Sequence, residues 1–219
     1  MRKTTLTILG ILTVLMSACS DDDSSTVSRL TAEMCDMHTS QRAVADYAIT
    51  DNDQRLTFMR PLNVSWATTP DSIYRAMLYY DNTDNGGSVT PLYAESVLFL
   101  KPRTPQEAKD WKDNNDPLEV ATAWYAQNRK YLNIRMDIMS GTPDDEHQRH
   151  ALGLVCDTVI VSPGGRRFYY RICHSQNGIP EYYTISAYAS IPTASVAKGD
   201  TISLVYESHG GTLCRDMVY

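Results

Sequence analysis

Between Tyr131 and Met139 two kinds of residue alternate without a break. Tyr131, Asn133, Arg135 and Asp137 fall on one set of positions, and Leu132, Ile134, Met136 and Ile138 on the other. Successive side chains of a strand point to opposite faces, so a period of two puts the even residues on a core and the odd ones outside. A helix would mix the two sets on every face. The segment therefore reads as a strand with one buried face, and it needs neighbours of the same kind. Residues 118–126, 150–158, 182–189, 200–207 and 212–218 supply them, separated by polar turns at 127–130, 141–148, 197–200 and 208–211. With the hairpin described below, seven or so short strands over 117–219 predict an antiparallel β-sandwich.

The first half repeats the pattern on a smaller scale. Residues 29–37, 44–50, 55–59, 73–80 and 92–100 read as strands, with turn or loop signals at 51–54, 68–71 and 81–88. Five short strands over 27–101 predict a small closed barrel, of which the OB-fold is the commonest five-stranded type; half of a sandwich is the alternative. The fold class is thus all-β, an OB-like barrel followed by a sandwich. Residues 102–116 read as a connector. Thr104-Pro105 with Glu107 predicts one short helix there, and Trp111 reads as a pin against a domain face.

The segment from Cys156 to Cys173 permits a sharper expectation. A two-residue turn at Gly164-Gly165 places Pro163 opposite Arg166, Val161 by Phe168 and Cys156 by Cys173. In that register the two cysteines form a close, non-hydrogen-bonded pair, at the short end of disulfide geometry. A Cys156–Cys173 bridge is the expectation, and a single bulge would abolish it. Cys35 and Cys214 are left open.

The first 26 residues address the chain. Arg2 and Lys3 precede an apolar run from Leu6 to Met16, too short to span a bilayer. Ser17-Ala18-Cys19 follows, with the order of a secretory leader and the small residues of a bacterial lipobox. Residues 1–18 are read as the leader, Cys19 as the lipidation site, and 19–26, with Asp21, Asp22 and Asp23, as a solvated acidic tether. Several acyl chains on Cys19 would anchor the protein firmly to the outer membrane.

The formal net charge is −6, and loss of Arg2 and Lys3 makes the remainder more acidic. That balance argues against nucleic acid as a partner. The chain has no Gly-x-Ser-x-Gly elbow, His-Glu-x-x-His helix, phosphate loop or Cys-x-x-Cys pair. Nothing in it calls for a cofactor. His147 and His150, beside Asp144, Asp145 and Glu146, are the best local metal candidates, but the stretch reads better as a solvated loop entering a strand. Trp66, Trp124, Tyr125, Tyr182 and Tyr183 are the aromatics able to stack on sugar rings, with core packing the competing role of each.

Taken in order, several segments resemble the NigD-like lipoproteins of Bacteroides-type bacteria. They are the lipobox with its acidic tether, residues 51–56 (Asp-Asn-Asp-Gln-Arg-Leu), 74–80 (Tyr-Arg-Ala-Met-Leu-Tyr-Tyr), 131–134 (Tyr-Leu-Asn-Ile) and 150–154 (His-Ala-Leu-Gly-Leu). The resemblance spans nearly the whole chain after the leader. It implies an N-terminal OB-type domain, a C-terminal β-sandwich and no catalytic activity to transfer. The functional expectation is a non-enzymatic outer-membrane or surface-exposed lipoprotein that binds a glycan or an envelope protein. A hydrolase or metal enzyme with a dispersed site, and a purely structural envelope protein, are the alternatives.

Overall fold

The computed structural model describes residues 30–219 apart from 86, 112 and 146. Cys19, the leader and the acidic tether lie outside the described residues.

Five strands close into a barrel: β1 (Leu30–Gln41), β2 (Val44–Thr50), β3 (Arg55–Asn63), β4 (Ser72–Asn85) and β5 (Ser88–Ser96). The order round the barrel is β1-β2-β3-β5-β4, closed by antiparallel pairing of β4 with β1, with β3 and β5 parallel. Alternation drives the closure. Ala76, Leu78 and Tyr80 on β4 point inward beside Met37, Ala45, Ala48, Leu56 and Phe58. Alanines at 45, 48, 67 and 76 allow so small a barrel to be filled without overpacking. The 81–88 stretch, expected as a loop, mostly extends β4 and β5: Asp81 pairs with Thr90 and Asn85 with Ser88. Gly87 turns the chain at a φ of +92°, so the polar run forms a long hairpin rather than an open loop.

Eight further strands make two facing sheets. They are β6 (Leu98–Phe99), β7 (Glu119–Tyr125), β8 (Tyr131–Ser140), β9 (Ala151–Ser162), β10 (Gly165–Ser175), β11 (Tyr183–Pro192), β12 (Thr201–Ser208) and β13 (Gly211–Val218). One sheet runs β13-β12-β10-β9 and the other β6-β11-β8-β7. Pairing is antiparallel except between β10 and β12 and between β11 and β6. Leu132, Ile134, Met136 and Ile138 are buried between the sheets with Leu154, Phe168, Tyr170, Ile172, Ile202 and Leu204, as the alternation in β8 requires.

The connector holds a Thr104–Glu107 capping box: the Thr104 N–H donates to the Glu107 carboxylate at 2.8 Å, and the Glu107 N–H reaches the Thr104 hydroxyl at 3.4 Å. The expected helix nevertheless reduces to a three-residue 3-10 turn, Lys109–Trp111. Trp111 is a pin: its indole lies over Gly153 on β9, beside Val155, Cys173 and Ala108.

The Cys156–Cys173 expectation is corrected. Pro163 and Gly164 form the turn, because the fixed φ of proline suits its first position, and Ser162 faces Gly165. A bulge at Asp157 then moves the register once more. Cys173 lies opposite Gly153 and Cys156 opposite Tyr170, and both thiols are free, as are Cys35 and Cys214.

Candidate binding surfaces

The barrel sits on the outer face of the β6-β11-β8-β7 sheet, and a buried polar network joins the two. Arg75 leaves the barrel on β4, facing away from the core that Ala76 enters. Its Nη2 donates to both oxygens of Asp51, at 2.6 and 2.8 Å, and its Nη1 lies 3.3 Å from Asp36. Its remaining bonds cross the seam, to Ser190 Oγ at 2.9 Å and Asn133 Oδ1 at 3.2 Å. Asn133 Nδ2 returns to Asp51 at 2.7 Å, and the Tyr131 hydroxyl reaches Asp36 at 3.1 Å with the guanidinium over its ring. Burial, then the nearby Asp36 charge, pushes the Tyr131 phenol up to about 12. Two turns recognisable in the sequence, 51–54 and 127–130, meet at the edge of this network. There Asn128 N–H donates to the Asp51 carbonyl at 2.8 Å, and Lys130 pairs with Asp53 at 2.7 Å.

The second surface is the open side of the sandwich. The chain after β6 pairs with β9 only briefly: Arg103 N–H donates to Leu154 and Cys156 N–H to Arg103, at 3.0 and 2.8 Å. Beyond that point β9 is the sheet's edge, with no neighbouring strand on that side among the described residues. This half carries Val159, Ile160 and Val161, exposed by 40, 52 and 75%. Val159 pairs with Phe168, which lines an apolar hollow of about 520 Å³ with Phe99, Pro102, Tyr170, Pro192 and Ala194. Lys101 also lines it. Folded proteins usually blunt such edges with charge, proline or bulges. Here the Asp157 bulge and Pro163 bound the edge, and its middle is bare.

A third cluster has the outline of a relay. His174 Nδ1 lies 3.1 and 3.2 Å from the carbonyls of Asp116 and Pro117, so that nitrogen carries the proton. His174 Nε2 then accepts from His150 Nδ1 at 3.0 Å, and His150 Nε2 accepts from Ser140 Oγ at 3.1 Å. Burial lowers the pKa of both imidazoles, which agrees with this neutral pairing. Ser140 and His174 are buried, and Gly141 is wedged so tightly against Pro180 and Tyr182 that a Cβ would collide with both. With its hydroxyl enclosed, the cluster serves to fasten residues 114–117 to β10. His150 spends both ring nitrogens here, so it is not paired with His147 for a metal; among the described residues no group of three or more His, Cys, Asp or Glu is placed to hold one.

The candidate aromatics do not form one platform. Trp66 donates its Nε1–H to the Ala94 carbonyl at 3.2 Å and packs on the barrel core. Tyr125 donates to the Met217 carbonyl at 2.9 Å and packs on the sandwich core. Trp124 pairs with Asn133 and Tyr183 with Ser140, seven residues apart along β8, on the order of 23 Å. Tyr182 is exposed and lies against Gly141. The edge of β9 and the Arg75 network were not apparent from sequence. Three consecutive β-branched residues look like core until the sheet order is known, and a lone arginine in a strand carries no sign of its partners.

No protein-family model and no curated protein matches the chain. Solved structures do. A NigD-like immunity protein from Bacteroides caccae is 21% identical with a TM-score of 0.63, covering 85% of this chain and 91% of that one. A candidate toxin-related protein from Parabacteroides distasonis is 16% identical with a TM-score of 0.64, covering 87% and 93%. A candidate lipoprotein from Bacteroides fragilis is 10% identical with a TM-score of 0.58, covering 86% and 96%. The chain therefore shares the fold of NigD-like structures over most of its length, and none of these neighbours carries an enzyme's name.

Proposed function

We propose that this chain is a non-enzymatic lipoprotein of the outer membrane, anchored through Cys19 and exposed at the surface, whose task is to bind a protein partner. The bare edge of β9 carries the reading. Unpaired backbone N–H and C=O groups along an edge are met most fully by another extended polypeptide, and side chains alternating along that strand would enter the adjoining apolar hollow. A neighbour named as an immunity protein and another named as toxin-related are consistent with a proteinaceous partner. The neighbour named as a candidate lipoprotein is consistent with the anchor.

The test is site-specific photo-crosslinking in intact envelopes, with the reactive residue at Val161 or, as a control, at Tyr93 on the barrel. A discrete protein adduct at Val161, lost when Ile160→Lys is added, supports the reading. Adducts at the barrel site alone overturn it. Acylation is checked separately by incorporation of a fatty-acid analogue, which Cys19→Ser should abolish.

A second reading has its own observation. Thr158-Val-Ile-Val-Ser162 is nearly self-complementary about Ile160: paired with a copy of itself, it sets Thr against Ser, Val against Val and Ile against Ile. If the Val161 adduct has twice the mass of the chain, and sedimentation shows a dimer that Ile160→Lys dissolves, the partner is a second copy.

A further inference from the structure

The seam between barrel and sandwich holds a chemically different hollow, and we infer that it is a binding site for a neutral saccharide. Its volume is about 300 Å³, at the small end of ligand clefts. One wall is the indole of Trp124, 37% exposed, whose Nε1–H has no partner among the described residues. Gln127 stands beside it, with neither end of its amide engaged by a described residue. Asn52 uses its Oδ1 on the Gln54 N–H at 3.1 Å and the Thr50 hydroxyl, which fixes the amide and leaves Nδ2 as a donor unspent among the described residues. Met34 and Met77 complete the lining with apolar surface.

This mixture selects a ligand class. A pyranose ring has an apolar C–H face bordered by hydroxyls that each donate and accept. An indole covers the first, and the amides of Gln127 and Asn52 with the indole N–H answer the second. A lipid or an apolar peptide would leave these polar groups unpaired. A phosphorylated, uronic or sialic sugar would bring its charge beside Asp51, with no lysine or arginine among the described residues that line the hollow to answer it. A crevice between two bodies usually fills with water, but mobility of the bodies is the usual reason such a crevice binds poorly. Here Arg75 and the abutting turns 51–54 and 127–130 hold both walls, so the donors are preorganised and little ordering entropy is lost. The hollow is independent of the β9 edge, which belongs to the other sheet.

The test uses the full chain, kept soluble without a sugar-based detergent, on an array of neutral and acidic glycans, followed by titration of the best ligand. Binding of neutral glycans is expected. Trp124→Ala should weaken it by about tenfold or more, equivalent to about 1.4 kcal/mol. Gln127→Ala should weaken it by a few-fold, and Trp124→Phe should retain most of it. Gln127 is exposed, so its variant reads binding even if Trp124→Ala disturbs folding. A preference for acidic glycans, neutral binding unchanged in both alanine variants, or no glycan binding would each overturn the assignment.

Discussion

The Nε–H of Arg75, on a barrel strand, donates to the Oγ of Ser190, on a sandwich strand, at 2.9 Å, and both side chains are buried. One guanidinium thereby spans the seam, compensated by Asp51 and Asp36 from its own side. Removing one member of a buried ion pair costs about 3–5 kcal/mol, chiefly because the other charge is left uncompensated. Arg75→Met should therefore destabilise the protein by about that amount in urea titration. Asp51→Ala in the same background should add much less than it costs alone, since contacting residues couple by about 0.5–3 kcal/mol.

Gly153 on β9 lies under the Trp111 ring, where an added Cβ would come within 2.9 Å of the indole. The ring must then lift from Val155 and Cys173, loosening the connector. Gly153→Ala should cost about 1–3 kcal/mol, as overpacking does. Trp111→Leu in the same chain should relieve part of that loss, which the midpoint of thermal unfolding would read.

The two-part all-β plan was legible because it rests on local rules. Alternation in 131–138 named every buried apolar residue of β8, and the turns at 51–54 and 127–130 fell where they were expected. What sequence could not give was how faces meet. Asn133 sits in the outward set of β8, yet it is fully buried because the barrel covers it. Val159, Ile160 and Val161 have the composition of a core and lie at an edge. The expected hairpin assigned the faces of 158–163 correctly but missed the register, which a proline-led turn and one bulge decided.

That register has a chemical consequence. With Cys173 opposite Gly153, and Cys156 opposite Tyr170, reduction should leave the mass of the described region unchanged. Alkylation of the folded chain should begin at the exposed Cys214, followed by the half-buried Cys156. Burial raises the pKa of the Cys173 thiol and pushes that of Cys35 up to about 12, so both should react only on unfolding. Peptide mapping after timed alkylation would show the order. A mass gain of about 2 Da on reduction, traced to residues 156 and 173, would contradict it.

The histidines should make stability depend on pH in two opposed ways. His38 lies 2.7 Å from Asp46 and 3.2 Å from Asp71, and the hydrogen bond to Asp46, reinforced by Asp71, raises its pKa above the ordinary 6.5. Its contribution is complete below about pH 6.5 and is lost as pH rises through the raised value. His150 and His174 behave in reverse. Burial lowers both, and protonation of His174 Nε2 would turn two N–H groups on each other across 3.0 Å. Their contribution is complete above about pH 6.5 and is lost as pH falls through the lowered values. The wild type should therefore show partial cancellation between pH 5 and 8. His38→Asn should remove the alkaline loss and leave stability rising with pH across that range. His150→Gln and His174→Gln together should leave it falling with pH. Urea midpoints at several pH values would separate the two slopes, and an unchanged profile in both variants would refute the assignment.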